Sequence, residues 1–254
     1  MRVGRAVFSF VLAGGLAVAL DSASVALAPR LGEMARALGF LVFVLPILAA
    51  ALAFLPPLLL AVLWLRDLGA SPLEPGPAAV LRATLAAWGQ VLLLLVVNAV
   101  ALIPAGLLVA SLFAVSLRTA GSLRPDLWTL SAPAWALGLC SLLLLLWFLP
   151  AILRRAAGAP AGAVAYRGFA RWLAAALLCL GTALLTQLAD HTFTSAIEVY
   201  VEGVHHREGP PPWLATYALP VVETGLTALL LLALWHLLRQ PAPAVAATTG
   251  QGPR

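Results

Sequence analysis

Charged residues are scarce in this chain, and their scarcity excludes an ordinary water-soluble domain. Asp, Glu, Lys and Arg together make up 10% of the 254 residues, whereas hydrophobic residues make up 63%. Soluble domains carry about 25% charged and about 45–50% apolar residues, and this chain has too few polar side chains to cover a surface that faces water. The composition instead predicts an all-α polytopic membrane protein, a helix bundle whose outer surface is covered by lipid.

Lysine is absent, and all fifteen basic residues are arginines. The net charge of +5 does not indicate nucleic-acid binding, because most of the arginines lie beside apolar runs, where they act as topology signals. Arginine-only usage in a chain rich in Ala, Leu, Gly and Pro is typical of a GC-rich bacterial genome. We therefore expect a bacterial cytoplasmic (inner) membrane protein, with membrane lipids as its first partners.

Cysteine is also scarce, and recognisable catalytic motifs are missing. Cys140 and Cys179 each stand alone inside an apolar run, which indicates structural thiols in lipid-embedded helices. The chain contains no Walker loop, no dinucleotide fingerprint and no Gly-x-Ser-x-Gly elbow. We therefore expect no cofactor and favour a role other than catalysis.

Apolar runs long enough to cross a bilayer, about 20 residues each, predict about six transmembrane helices in a single domain over residues 1–240. A polar external loop over 189–212 separates the last two spans, and a low-complexity tail over 241–254 is predicted to be disordered and cytoplasmic. The predicted spans are approximately 6–28, 37–65, 91–113, 127–150, 172–188 and 213–238.

The first apolar run admits two interpretations. Arg2 and Arg5 followed by an apolar segment resemble a signal peptide, and Ala26-Leu27-Ala28 resembles a cleavage site. Pro29 directly follows that site, and proline in this position usually blocks cleavage. We favour a retained first span over a cleaved signal.

The second apolar run contains Pro46 and the pair Pro56-Pro57. Proline lacks the amide N–H that completes a helical hydrogen bond, so the helix is predicted to kink or break there. Broken helices mark binding sites in some transporters, although proline is also common in ordinary membrane spans.

The third apolar stretch, residues 78–117, is too long for one span and short for two spans with a turn. We interpret residues 78–90, which carry Arg82 and Trp88, as an interfacial segment that leads into the third span. Asn98 and Pro104 then interrupt the span itself.

Arginines are distributed unequally between the alternate sides of the predicted bundle. With the N-terminus in the cytoplasm, ten arginines lie on the inner side and five on the outer side, as the positive-inside rule requires. The densest group, Arg154, Arg155, Arg167 and Arg171, follows the fourth span, where it orients the chain or contacts anionic lipid headgroups. We therefore predict that both termini are cytoplasmic.

Polar side chains inside or at the ends of the predicted spans are the candidate functional residues. A charge at the centre of a membrane helix costs roughly 2.5–3.5 kcal/mol, so such residues usually face a protein interior or water. Most of them fall in the outer half of the membrane, where they predict a polar pocket for protons or cations. The alternative is a protonated acid that is hydrogen-bonded to a neighbouring helix. The candidate site comprises Glu223, Asp21, Asn98, Gln187 and Asp190.

The external loop is rich in possible metal ligands. If the fifth helix continued outwards, His191, Glu198, Glu202 and His205 would share one helix face. However, apolar and polar residues alternate over 197–202, which is typical of a strand. The chain has no His-Glu-x-x-His or Cys-x-x-Cys motif, so a solvated loop is the simpler interpretation and a metal site is the alternative.

Three functions are compatible with these features. A transporter or permease-type subunit fits the six spans, the proline-broken helix and the buried acids. A non-catalytic assembly protein would use small-residue faces such as Gly14, Gly15 and 49–51 to hold a partner subunit or a second copy. A metal-dependent membrane enzyme depends only on the loop residues. Transport is the interpretation we favour.

Overall fold

The computed structural model describes residues 3–37, 41–69, 76–120, 127–195, 197–201, 204–209, 211 and 213–240. The predicted tail over 241–254 lies outside these ranges. Two strands, β1 (Ile197–Val201) and β2 (Val204–Glu208), form an antiparallel hairpin, and a π-helical turn covers Leu214–Ala218. The α-helices are α1 (Val3–Ala37), α2 (Leu41–Ala53), α3 (Leu55–Asp67), α4 (Pro77–Ala120), α5 (Leu127–Ala157), α6 (Phe169–Thr194) and α7 (Leu219–Leu238).

Six stretches of the described residues are long and apolar enough to cross a membrane, which confirms the predicted polytopic helix bundle. The second stretch combines α2 with α3, and the sixth combines the π-helical turn with α7. The stretches are Val3–Arg30, Val44–Asp67, Pro77–Pro104, Leu137–Ala157, Phe169–Thr194 and Leu214–Leu238. The chain is therefore a multi-pass membrane protein.

The third span begins earlier than the sequence suggests. Residues 78–90 are the first part of a continuous helix that starts at Pro77, a residue well suited to the first helical position because it lacks an amide N–H. Val80, Ala83 and Ala87 recur at helical spacing and are buried. This buried stripe packs α4 into the bundle, so the segment is not an interfacial lead-in.

The helix of the fourth span extends further than predicted at its C-terminal end. α5 begins at Leu127, where the predicted span begins, and continues to Ala157, seven residues past the predicted end. Arg154 and Arg155 consequently lie in the last turn of the helix instead of in a loop. Cations in this position are favourable because they face the free carbonyl groups at the helix C-terminus.

The first helix is an integral part of the bundle. Ser9, Ala13 and Ala17 of α1 are buried, and the Trp64 indole of α3 donates a 3.0 Å hydrogen bond to the Ser9 hydroxyl. The close approach of α1 to α7 depends on Gly225, because a Cβ atom there would lie 3.1 Å from the ring of Phe10. α1 therefore packs against both α3 and α7.

One end of the bundle, which we call the loop end, carries the connection over residues 158–168. The Gln240 amide donates to the Ala163 carbonyl at 2.8 Å, and the Ala165 amide donates to the Leu238 carbonyl at 3.3 Å. The Tyr166 hydroxyl donates to the Leu146 carbonyl at 2.8 Å. The connection is thus fastened both to the end of α7 and to α5.

The buried core lies mostly towards the loop end. Large side chains from three helices are almost completely buried there, among them Leu65 of α3, Leu153 of α5 and Leu234 of α7. The opposite end, which we call the hairpin end, carries β1 and β2. Towards it α6 exposes large apolar side chains such as Leu184 and Leu188. The helices therefore pack closely at one end and leave space at the other.

Candidate functional site

A cavity of about 650 Å³ lies towards the hairpin end, between α1, α2, the start of α3 and the first half of α7. Asp21 of α1 and Glu223 of α7 both line it. Most of the remaining wall is apolar. Its hydroxyl-bearing residues are Ser24, Thr186, Thr224 and Thr227. The structure therefore brings two acids predicted for an intramembrane site into one compartment.

The close packing of α1 on α7 determines where the two carboxylates lie. A Cβ atom on Gly14 would meet Val221 at 3.3 Å, so these two residues are level with each other. Asp21 is seven residues further along α1, or about two turns towards the hairpin end. Glu223 is two residues past Val221 in the opposite direction, because α7 runs antiparallel to α1. The two acids therefore occupy different depths of the same cavity.

The carboxylates have no counter-charge among the residues that the structure describes. Within those ranges, Arg66 and Asp67 form an ion pair at 3.8 Å, which lies at the loop end. The Ser24 hydroxyl beside Asp21 donates to the Asp21 backbone carbonyl at 2.7 Å and not to its carboxylate. No arginine or histidine lines the cavity. The ionisable side chains of the described wall are thus acidic only.

A break in the second span forms one side of the cavity. The α-helical hydrogen-bond pattern is interrupted at Phe54, whose backbone stays in the α region (φ −80°, ψ −12°), and Pro56 and Pro57 occupy the first turn of α3. The carbonyl groups of Leu52 and Ala53 have proline at the fourth following residue, so neither receives the usual amide hydrogen bond. All five of these residues line the cavity. The prediction of a break is confirmed at the proline pair, whereas α2 continues through Pro46.

Trp88 is a residue of the site that sequence reasoning missed. Its indole N–H donates a 2.7 Å hydrogen bond to the carbonyl of Ala51, directly before the break. The bond ties α4 to the end of α2 and supports a cavity wall that has lost helical hydrogen bonds. A tryptophan near a span boundary predicts an interfacial anchor, and no local signal points to a partner 37 residues away.

The other three predicted site residues do not line the cavity. Asn98 lies between α4 and α5, where its side-chain oxygen accepts a 3.0 Å hydrogen bond from the Ser141 hydroxyl. Gln187 is exposed on α6, and its neighbour Thr186 lines the wall instead. Asp190 is partly buried near the end of α6, close enough for its charge to act on Glu223 together with that of Asp21.

The predicted metal ligands are not gathered on one helix. α6 ends at Thr194 with His191 exposed in its last turn, and the residues beyond form β1 and β2. The strand pattern is thus confirmed, and the hairpin register pairs Glu198 with Arg207 and His205 with Tyr200. Glu202 lies outside the described residues. Within the described ranges, no group of three His, Cys, Asp or Glu residues is placed to hold a metal.

The four arginines that follow the fourth span all lie at the loop end. Arg155 and Arg167 are exposed, and Arg154 is partly buried in the last turn of α5. Arg171 lies in the first turn of α6, and its Nη1 nitrogen is buried without a hydrogen-bond partner in the described part of the chain. These arginines lie far from the cavity, which is towards the opposite end.

No protein-family model, no curated protein and no solved structure matches the chain. The class that the fold defines is a multi-pass membrane helix bundle. Any more specific function must therefore be argued from the cavity and its residues.

Proposed function

We propose that this protein is a membrane transport protein, either a transporter or a permease-type subunit, and that the Asp21–Glu223 cavity is its solute site. The observation that supports the proposal most is the presence of two acids on one cavity beside a broken helix. Ionisable residues are costly in a membrane and typically mark solute or ion pathways. Broken helices supply free backbone groups at such sites in known transporters.

The small residues favour transport over an assembly role. Gly14 faces Val221 and Gly225 faces Phe10, so both glycines are used for packing within the chain. Ala51 is fully buried as well. Of the small residues that an assembly face would need, Gly15 has open space around it, and the exposed Ala49 lies on the cavity wall. These two residues, on different helices, are a weak basis for a partner-binding helix face.

We also propose a bacterial inner-membrane location with the loop end in the cytoplasm. Arg154, Arg155, Arg167, Arg171 and Arg239 all lie at this end, and arginines of short loops favour the cytoplasmic side. The same residues are placed to contact anionic lipid headgroups. In this orientation, the cavity lies in the outer half of the membrane and the hairpin faces outwards.

The transport proposal is tested by labelling a single cysteine in the cavity from each side of the membrane. Cys140 and Cys179 are first replaced by alanine, and Ala49→Cys is introduced because Ala49 lies on the α2 wall. A membrane-impermeant thiol reagent is then applied to intact cells and to inverted vesicles. A transport site that opens alternately is labelled in both preparations.

Asn98→Cys provides the matched control, because Asn98 lies at a helix contact outside the cavity and is expected to react in neither preparation. Labelling of Ala49→Cys from one side only, or from neither, would contradict a transport role. An outward-facing binding protein or an assembly protein would give one of those two results.

A further inference from the structure

We infer that the solute of the Asp21–Glu223 cavity is an apolar organic cation, such as a quaternary ammonium or phosphonium compound with hydrocarbon or aromatic substituents. This inference rests on the proposed function and names its substrate class. It is drawn from four properties of the cavity: the sign of its charge, the positions of its acids, the nature of its walls and its volume.

The sign of the charge selects a cation. Asp21 and Glu223 contribute carboxylates to the lining, and no arginine or histidine opposes them there. Asp190 adds a third acidic side chain nearby. A solute that carries a positive charge relieves the unpaired acids, whereas an anion meets repulsion in a medium of low dielectric constant.

The depths of the acids argue against a small metal ion. A hard divalent cation binds its oxygen ligands at about 2.0–2.6 Å and needs several of them around one point. Asp21 lies about two helical turns to one side of the Gly14–Val221 contact, and Glu223 lies less than one turn to the other side. The two carboxylates therefore do not converge on one ion, but both can face a larger molecule.

The walls favour an apolar body for that molecule. Leucines from α1 and α2 and the ring of Phe54 make up much of the lining. Leu27, Leu48 and Leu52 are each more than a third exposed, so the cavity is open along its side. An apolar cation dissolves in the surrounding lipid and reaches such an opening laterally. The Phe54 ring, 38% exposed at the break, offers a face for a cation–π contact.

The volume suits a molecule of this kind. Sites for drug-sized ligands occupy about 300–1,000 Å³, with mostly apolar walls and a small number of polar groups that fix orientation. The cavity of about 650 Å³ with two acids and a group of hydroxyls matches this description. An inorganic monovalent ion would fill only a small part of that volume and would contact little of the apolar wall.

The test is equilibrium binding of radiolabelled tetraphenylphosphonium to the purified full chain in detergent. We expect saturable binding to the wild-type protein and a loss of affinity of at least about tenfold in Asp21→Asn and in Glu223→Gln. Asn98→Ala, whose side chain lies outside the cavity, should bind like wild type. Glu223→Asp keeps the carboxyl group and should retain measurable binding. It is the control for misfolding, because a loss of binding that is caused only by disturbance of this position would also appear in Glu223→Asp.

Tetraphenylborate has nearly the same shape as tetraphenylphosphonium and the opposite charge. Comparing the binding of the two ions distinguishes a charge-selective site from nonspecific binding to an apolar surface. Equal binding of both ions, or wild-type affinity for tetraphenylphosphonium in both neutralised variants, would overturn the inference. If Ala49→Cys reacts from both sides but tetraphenylphosphonium does not bind, the substrate class is wrong and transport stands. If the cation binds but Ala49→Cys reacts from one side only, the cation site stands and the transport role is wrong.

Discussion

The two ends of this bundle differ greatly in packing. At the loop end, α3, α5 and α7 interlock, and the connection over 158–168 is hydrogen-bonded to Gln240 and Leu238. At the hairpin end, α1, α2, the start of α3 and the first half of α7 surround a cavity of about 650 Å³ that is lined by Asp21 and Glu223. Hydrophobicity places the helices in the membrane, but it does not determine where they pack closely.

The features that distinguish the ends are few and local. The loop end has no proline break inside its buried part of α3, and it has hydrogen bonds such as that from the Tyr166 hydroxyl to the Leu146 carbonyl, although the Nη1 of Arg171 and the indole nitrogen of Trp235 are buried there without partners among the described residues. The hairpin end has the interruption between α2 and α3 at Phe54, and it has two acids without an ion-pair partner among the described residues. This division suits a transport protein, because one end provides stability and the other provides a site.

The largest expected effect is on the packed core. Leu153→Ala removes a fully buried side chain of α5, and we expect it to lower the free energy of unfolding by about 2–5 kcal/mol. Leu48→Ala on the cavity wall, where the side chain is 39% exposed, should cost less than about 1 kcal/mol. Unfolding in mixed micelles with increasing dodecyl sulfate measures both. Equal losses would mean that the two ends are equally packed.

The contact of α1 with α7 should be the next most sensitive feature. Gly225→Ala places a Cβ atom 3.1 Å from the Phe10 ring, and we expect a loss of about 1–3 kcal/mol from overpacking. Gly15→Ala is the matched control, because no atom lies within 4 Å of its new Cβ atom. The control should be neutral or gain up to about 1 kcal/mol from the better helix propensity of alanine. Thermal unfolding in detergent distinguishes them, and equal melting temperatures would contradict this packing.

Two tryptophans permit a direct comparison of the ends. Trp64→Phe removes the 3.0 Å bond to Ser9 at the loop end, and Trp88→Phe removes the 2.7 Å bond to Ala51 at the helix break. Each should cost about 1 kcal/mol of stability. Only Trp88→Phe should also weaken tetraphenylphosphonium binding, because it alone supports the cavity wall. Weaker binding in Trp64→Phe would show that the ends are coupled rather than separate.

The smallest expected effect is a pH dependence of the free energy of unfolding that arises at the loop end. Burial raises the pKa of Tyr166 above its ordinary value, with a smaller contribution from Cys179, so the folded protein favours the protonated phenol that donates to Leu146. The stability that this provides is present below about pH 10, where the phenol of the unfolded chain is also protonated. It declines as the pH rises further. The free energy of unfolding of Tyr166→Phe, measured at alkaline pH, should lack this decline. If the wild type and Tyr166→Phe have the same pH profile, Tyr166 is not the cause.

Hydropathy and proline chemistry predicted a large part of this architecture. The six spans follow from apolar runs, and the break at Pro56-Pro57 follows from two missing amide donors in succession. Asp21 and Glu223 could be anticipated at one site because an acid in a membrane span requires a polar or watery surrounding. These inferences depend only on depth in the membrane, which a sequence encodes well.

The rotation of each helix about its axis could not be predicted. A helix that is apolar on every side gives no signal for which face meets a neighbour, so Asn98 and Gln187 were expected at the cavity although neither lines it. The start of α4 was missed for a related reason. Arg82 and Trp88 resemble markers of the membrane surface, whereas the buried alanines on the same turns pack against other helices.

A solute site between α1, α2 and α7 requires that water, rather than lipid tails, reaches the cavity. Thr227 lines the cavity one turn past Glu223, and a spin label on Thr227→Cys can be tested by electron paramagnetic resonance with two relaxing agents. A label on Leu184→Cys, at a position 71% exposed on α6, reports a lipid-facing surface. We predict that water-soluble nickel complex relaxes the Thr227 label strongly and the Leu184 label weakly. If both labels respond only to oxygen, acyl chains fill the space, and the claim of a solute site is wrong.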